Sequence, residues 1–394
     1  YLGVQPQLFN IGAYKSAHEI FTRTSMSEES REDSARLLRD IQDRLLDRIA
    51  FRKQVSRQLA QEWVDQGPYV APKALQFGLV DRLCYPDELE EHLRKRHPGI
   101  RKLPLKKLRV GEGLLRRVFG VLRPSVALII AEGIIAPGPS RRSFGRWPIL
   151  GSETIIELLR SARKRKRTKA VVIRIDSPGG SALESDRIWR EILLTDREKP
   201  VVISFGNVAA SGGYYIAAGG RRIVASAASI TGSIGVIGGK FNVAELLKRL
   251  GVAVDSIELG ARSGMSSATR PYAEDEAESV RESLRFFYED LFLKKAAEAR
   301  KMEPDQLRPL AEGRIWSGGR ALQSSLVDEI GNVLSAVDLA KRLAGLEGRR
   351  VRLLTRSAPR RLGSLLSLPG LYWSRLPRTL SEPLALDVRD LRIY

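Results

Sequence analysis

Ala170-Val171-Val172-Ile173-Arg174-Ile175-Asp176-Ser177-Pro178-Gly179-Gly180 is an apolar run that ends abruptly in a glycine turn. Four of its first six residues are β-branched, the pattern of a strand buried on both faces of a parallel sheet. Pro178-Gly179-Gly180 forces a sharp exit from that strand. Upstream, residues 126–130 read as another apolar strand and residues 153–162 as a helix. Downstream come a helix near 184–194, a strand at 201–204, a turn into a helix near Ser211, and a strand at 223–225. The small-residue loop Thr231-Gly232-Ser233-Ile234-Gly235 follows. Strands alternating with helices predict an α/β fold with mostly parallel pairing.

The chain also matches itself. Ala74-Leu75-Gln76-Phe77-Gly78-Leu79-Val80-Asp81 aligns with Ala321-Leu322-Gln323-Ser324-Ser325-Leu326-Val327-Asp328 at an offset of 247 residues. The same offset lays Tyr14-Lys15-Ser16 on Ala261-Arg262-Ser263, and the helical pattern near 27–60 on that near 274–304. Such self-similarity divides the chain into two copies. Residues 1–93 read as the C-terminal part of a first copy whose front is expected to be missing, and 125–347 as a complete second copy. Between them, 94–124 form a basic connector with eleven Lys/Arg against the single acid Glu112. Residues 348–394 read as a basic Leu/Pro-rich tail, in which Pro359, Pro369, Pro377 and Pro383 preclude one long helix. Its expected role is a peripheral membrane contact or packing on a neighbouring subunit. In the first copy, Ser25-Met26-Ser27-Glu28 predicts a capping box. Leu37, Leu38, Ile41, Leu45 and Ile49 recur at helical spacing behind it.

With 394 residues, 43% of them hydrophobic, the chain can bury a sizeable core. A net charge of +20 suits an anionic membrane surface or nucleic acid, and says nothing about fold. One cysteine, Cys84, excludes an internal disulfide. The longest apolar run, 126–136, is broken by Glu132 and too short to span a bilayer, and no secretory leader is visible. No clustered His/Cys set and no Walker-type loop occurs, so neither a metal nor a nucleotide cofactor is expected.

Asn207-Val208-Ala209-Ala210-Ser211-Gly212-Gly213-Tyr214 opens a predicted helix. Small residues there let a substrate backbone approach Ser211, and free N–H groups at a helix start can hold an oxyanion. The plainer reading is a packing turn with Ser211 as an ordinary N-cap. Gly179 and Gly180 could aim further N–H groups at a peptide carbonyl, or could simply mark a tight turn. The chain has only His18, His92 and His97, none in the second copy, so a Ser-His-Asp triad is unsupported. A lysine can replace the histidine where burial lowers its pKa. Lys15, in Gly12-Ala13-Tyr14-Lys15-Ser16-Ala17, has small and aromatic neighbours in an otherwise basic chain; its plainer reading is a solvated loop lysine. The second copy has Arg262 at the matching place, and a guanidinium cannot serve as a base. Lys240 is a weak substitute.

Taken together, Ala-Ala-Ser211-Gly-Gly-Tyr-Tyr, Asp176-Ser-Pro-Gly-Gly, Thr231-Gly-Ser233-Ile-Gly and Gly-Ala-Tyr-Lys15-Ser-Ala resemble the long, two-copy form of signal peptide peptidase A (protease IV). The resemblance covers roughly residues 1–345. It implies a crotonase-like fold shared with the caseinolytic protease, a repeated ββα spiral in two copies. It also implies a serine peptidase with Ser211 as nucleophile, Lys15 as base and Ser233 holding the lysine. Gly212 and either Gly179 or Gly180 would be the oxyanion donors. Hydrophobic peptides such as released signal peptides are the implied substrates. The implied setting is a homo-oligomer, a tetramer by the resemblance, associated with the inner membrane of a bacterial envelope with its catalytic domain in the periplasm. An acyl-CoA enzyme on the same fold, or a catalytically silent scaffold, are the alternatives. The basic stretch Arg160–Lys169 reads as a solvated helix end or as a contact for anionic lipid headgroups. Nucleic acid is not expected as a partner, because no aromatic interleaving accompanies the basic residues.

Overall fold

The computed structural model describes residues 3–84, 86–97, 123–141, 147–256 and 262–357. Most of the connector, 98–122, and the tail from 358 on lie outside the described residues.

The first part of the chain is one strand followed by helices: β1 (Gln5–Ile11), α1 (Glu19–Thr22), α2 (Glu28–Lys53), α3 (Arg57–Asp65), α4 (Ala71–Gln76) and α5 (Pro86–Arg96). The cap of α2 differs from the predicted box. Ser27 is the N-cap and accepts from the Ser30 N–H, while the carboxylate that reaches back to Ser27 belongs to Glu19 of α1. A local motif could not show that, because Glu19 arrives from the preceding turn. Of the apolar stripe on α2, Leu37 is buried, but Leu38 and Leu45 are exposed.

The second part holds the main sheet. Its strands are β2 (Ser125–Glu132), β3 (Ile134–Ala136), β4 (Ile149–Gly151), β5 (Thr168–Ser177), β6 (Val201–Ala210), β7 (Arg222–Ala225), β8 (Ile230–Gly232), β9 (Val236–Asn242), β10 (Ile315–Ser317), β11 (Glu329–Ile330) and β12 (Arg352–Ser357). β11, β7, β6, β5, β2 and β12 lie side by side and all parallel. Helices α6 (Ser152–Lys164) and α7 (Ala182–Glu198) are amphipathic: Ile155, Leu159 and Ala162 of one, and Ile188 and Ile192 of the other, are buried. They join Val171 and Ile173 of β5 in one cluster, whereas Ala170 and Val172 pack with Ala336 and Ala340 from the far side. Alternating side chains thus feed two faces.

Each long strand kinks at its carboxyl end. Ile134–Ala136 follows β2; Gly180 bridges to Ile135 after β5; and the end of β6 exchanges β7 for β8 on one edge while Ala209 still pairs with Ser177 of β5 on the other. Repeated strand–kink–helix units make the α/β spiral that the family resemblance implies. The extent of β6 differs from expectation: the predicted end at 204 is replaced by a strand that runs to Ala210. Its second half is held by β8 through Val208↔Ile230 and Ala210↔Gly232, a change of partner that hydropathy does not encode. Within the segment read as the tail, β12 pairs with β2 from Arg352↔Ser125 to Ser357↔Ile130.

The remaining helices are α8 (Gly212–Ala217), α9 (Ala244–Arg249), α10 (Glu274–Arg285), α11 (Lys294–Arg300), α12 (Pro304–Leu307), α13 (Gly318–Gln323) and α14 (Val333–Leu343), with a π-helical stretch (Phe286–Leu293) joining α10 to α11. Gln54 after α2 and Lys301 after α11 both take the left-handed conformation. Ser56 and Glu303 are the next N-caps, α4 and α13 start at Ala71 and Gly318, and Gly78 and Ser325 both have positive φ. Each of these pairs is separated by the same offset as the sequence match.

Candidate active site

One strand pairing sets the site. β1 runs antiparallel to β9 from Gln5↔Asn242 to Ile11↔Val236. The residues after Ile11 therefore continue alongside those before Val236, which brings the Gly12–Lys15 turn beside Ser233. A second clamp comes from the loop before β10. The Tyr14 N–H donates to the Glu312 carbonyl at 2.8 Å, and the Gly313 N–H donates to the Ile234 carbonyl at 2.8 Å. Gly313, at φ +83°, lies so close under Lys15 that a Cβ there would sit 2.4 Å from the Lys15 nitrogen. Arg314 stacks on the Tyr14 ring at 3.6 Å from its centroid and donates to the Tyr14 hydroxyl at 2.6 Å. Its carbonyl accepts from the Ser233 N–H at 2.6 Å. Helix α2 backs this loop, with Asp33 accepting from the Ile315 N–H at 2.7 Å and Asp40 from the Ser317 hydroxyl at 2.8 Å.

Lys15 is only 6% exposed. Its Nζ lies 2.9 Å from Ser211 Oγ, 2.9 Å from the Ser233 carbonyl oxygen and 3.0 Å from Ser233 Oγ. Burial without a carboxylate partner brings its ammonium down from the ordinary 10.5 to about 8. Ser211 sits between β6 and α8 with φ 53° and ψ −122°, and Ser233 also has positive φ, at 51°. Such backbones are strained for residues other than glycine. That of Ser211 is held by its N–H bond to the Gly232 carbonyl and by its carbonyl accepting from Tyr215.

The Pro178-Gly179-Gly180 turn presses on Ser211. A Cβ on Gly179 would lie 2.8 Å from both Ser211 Cβ and the Gly212 nitrogen, and one on Gly212 would lie 2.5 Å from Ser185 Oγ. The two turn glycines differ in their hydrogen bonding. The Gly179 N–H donates to Ser177 Oγ at 3.1 Å, while the N–H groups of Gly180 and Gly212 have no acceptor among the described residues.

Ser211, Lys15, Ser233, Gly212, Gly179 and Gly180 are therefore brought together. The other candidates are placed elsewhere. His18 bonds through its ring to the Lys15 carbonyl, Arg262 pairs with Asp275, and Lys240 donates to the Met265 carbonyl while lying over Tyr272. Sequence reasoning missed Glu312-Gly313-Arg314; its one visible signal was a lone glycine before an apolar strand.

The sequence model of peptidase family S49 matches residues 1–98 and 194–347. The chain belongs to peptidase family S49. Among S49-type relatives, the chloroplastic serine protease SPPA of Arabidopsis thaliana is 36% identical, over 91% of this chain and 54% of that protein. Protease 4 of Salmonella typhi is 32% identical, over 88% and 56%. A putative signal peptide peptidase SppA of Enterococcus faecium is 31% identical, over 72% and 80%. This S49 chain thus spans just over half the length of the first two. Solved structures of a ClpP1 from Listeria monocytogenes and of a membrane-bound stomatin-specific protease align at TM-scores of 0.33 and 0.35 with 14% and 15% identity. They cover 56% and 60% of this chain, and 96% and 97% of their own. Scores this low add nothing to the strand order described above.

Proposed function

We propose that this chain is a serine endopeptidase working through a Ser211–Lys15 dyad assembled across two sequence copies. The observation that carries the reading is a buried amine with a pKa near 8, lying 2.9 Å from the hydroxyl of a serine in a strained backbone. A neutral amine has two hydrogens and one lone pair. The hydrogens fit Ser233 O and Oγ, and the lone pair then faces the Ser211 O–H. Lys15 takes that proton as Oγ attacks a peptide carbonyl. The N–H groups of Gly180 and Gly212 receive the oxyanion, with Gly179 supplying space rather than a donor. The resulting ammonium protonates the leaving amine, and water, activated by the same lysine, releases the acyl group.

Hydrophobic peptides such as released signal peptides are the proposed substrates, following the family resemblance and the name of the Enterococcus relative. The two-copy division is supported by the shared caps and left-handed residues at one offset. Homo-oligomer formation, with a tetramer as the working assumption, is supported by Leu38, Leu45 and Phe51, which α2 leaves exposed. Association with a bacterial inner membrane is the proposed setting. An acyl-CoA enzyme would use the glycine turns but would leave the buried Lys15–Ser211 pair without a task. Hydrolysis of a fluorogenic hydrophobic peptide, with Lys15→Ala and Ser211→Ala as controls, tests the reading. Equal activity in either variant would overturn it.

A further inference from the structure

The dyad occupies the carboxyl ends of β5 and β6. The amino ends of three neighbouring strands form a different feature. β5, β2 and β12 start level with one another, Thr168 beside Ser125 and Ser125 beside Arg352. Backbone bonds lock these starts together. The Ser125 N–H donates to the Arg167 carbonyl at 2.8 Å, Arg352 to Pro124 at 2.9 Å, and Thr168 to Arg165 at 3.0 Å. A cleft of about 330 Å³ opens there, lined by Arg123, Arg165, Lys166, Arg167 and Arg352, with the Ser125 and Thr168 side chains among its walls and no acid.

Four of these cations, Arg123, Arg165, Lys166 and Arg352, surround one hollow, and an anion among them would relieve their mutual repulsion. Among the described residues, no carboxylate pairs with Arg123, Arg165, Lys166 or Arg352. The contrast lies one turn upstream, where Arg160 and Arg163 are both met by the buried Glu191. Within the basic stretch, Arg160 and Arg163 thus have a carboxylate partner, whereas Arg165, Lys166 and Arg167 line the cleft. Two buried hydroxyls complete it. Ser125 and Thr168 are 3% and 1% exposed, and their oxygens are 3.3 Å apart. One can donate to the other, which leaves one O–H with no acceptor among the described residues. A buried donor without a partner is costly, and an anionic oxygen would satisfy it. Several guanidinium forks and a hydroxyl lining one cleft match the many oxygens of a phosphate better than the two of a carboxylate.

We propose that this cleft binds a phosphate group, carried either by an anionic phospholipid headgroup or by a free phosphate ester. The proposal does not rest on the peptidase reading. β5 rises from Thr168 to Ser177, which separates the cleft from the Gly179 turn by about 30 Å. An anion held here would leave the Ser211 side of the sheet open to solvent.

The full chain is titrated with pyrophosphate by calorimetry and, separately, sedimented with vesicles of phosphatidylglycerol in phosphatidylcholine or of phosphatidylcholine alone. Two double variants lose the same charge: Arg165→Gln/Arg352→Gln in the cleft, and Lys248→Gln/Lys301→Gln on exposed surface elsewhere. Thr168→Val removes the hydroxyl and no charge. Expected is a loss of about tenfold in affinity for the cleft pair, a several-fold loss for Thr168→Val, and little change for the control pair. Cleft-dependent binding of pyrophosphate, with vesicle binding indifferent to the variants, assigns a free phosphate ester. Cleft-dependent sedimentation with the anionic vesicles assigns the headgroup. Equal losses in the two double variants, or no saturable binding of either probe, overturn the proposal.

Discussion

Lys15 Nζ lies 2.9 Å from Ser211 Oγ, although 196 residues separate the two in the chain. Neither residue can do acyl transfer alone: the hydroxyl needs a base, and a solvated ammonium is not one. Replacing Lys15 by Ala is expected to cost roughly 10²–10⁴ in kcat/KM, the usual contribution of a positioned base. Lys15→Arg should be as inactive, because it keeps the charge and offers no lone pair. Ser211→Ala should abolish acyl-enzyme formation, read as loss of labelling by a serine-directed phosphonate. Labelling that survives Ser211→Ala would move the nucleophile elsewhere.

The same burial predicts a pH profile. Lys15 must be neutral to accept the proton, so acylation should rise with pH up to about 8 and level off above it. For stability the sign is as follows. Between about 8 and 10.5 the unfolded chain keeps a proton on this lysine that the folded chain has lost, so stability rises with pH across that window. Below it the fold holds a buried ammonium at a cost of about 3 kcal/mol. Lys15→Met should therefore flatten the dependence of denaturation midpoint on pH from 8 to 10. An unchanged slope in Lys15→Met would show that the lysine is solvated.

How much of this was legible depends on the range of the interaction. The β-branched residues 170–175 announce a fully buried strand, because a parallel sheet covered on both faces needs apolar side chains at successive positions. The motifs around Ser211, Ser233 and Lys15 were legible as chemistry. Their convergence was implied only by the family resemblance and not by residue pattern, since it depends on β1 pairing with β9, two strands far apart in sequence with ordinary composition. The positive φ of Ser211 is likewise invisible in Ala-Ala-Ser-Gly-Gly, where the glycines beside it are the residues expected to take that conformation. The end of β6 was misjudged because a strand that changes partners mid-way has no hydropathic mark at the change.

Ser233 touches the amine twice, through its carbonyl at 2.9 Å and its hydroxyl at 3.0 Å. Ser233→Ala removes only the second contact, so the amine keeps one anchor. The expected result is a fall in kcat of about fivefold with KM nearly unchanged, since a net hydrogen bond is worth about 1 kcal/mol. The denaturation midpoint of Ser233→Ala should be little changed, which separates positioning from a loss of fold. A change confined to KM would place Ser233 on the substrate side instead.

Gly313 lies directly under Lys15, the proposed base. Its φ of +83° disfavours any side chain, and a Cβ would lie 2.4 Å from the Lys15 nitrogen and 2.7 Å from its Cα. Gly313→Ala must therefore push the Lys15 turn away from Ile234 or distort the Glu312–Arg314 loop. A destabilisation of about 1–3 kcal/mol is expected, visible in the denaturant midpoint. Because the turn carries the proposed base, kcat should fall at temperatures where the variant is still folded, by more than in Ser233→Ala. Gly345→Ala provides the comparison: it also has positive φ, at +63°, but nothing within 4 Å. It should cost stability alone. Equal effects of the two substitutions on kcat would mean that the Glu312–Arg314 loop does not position Lys15.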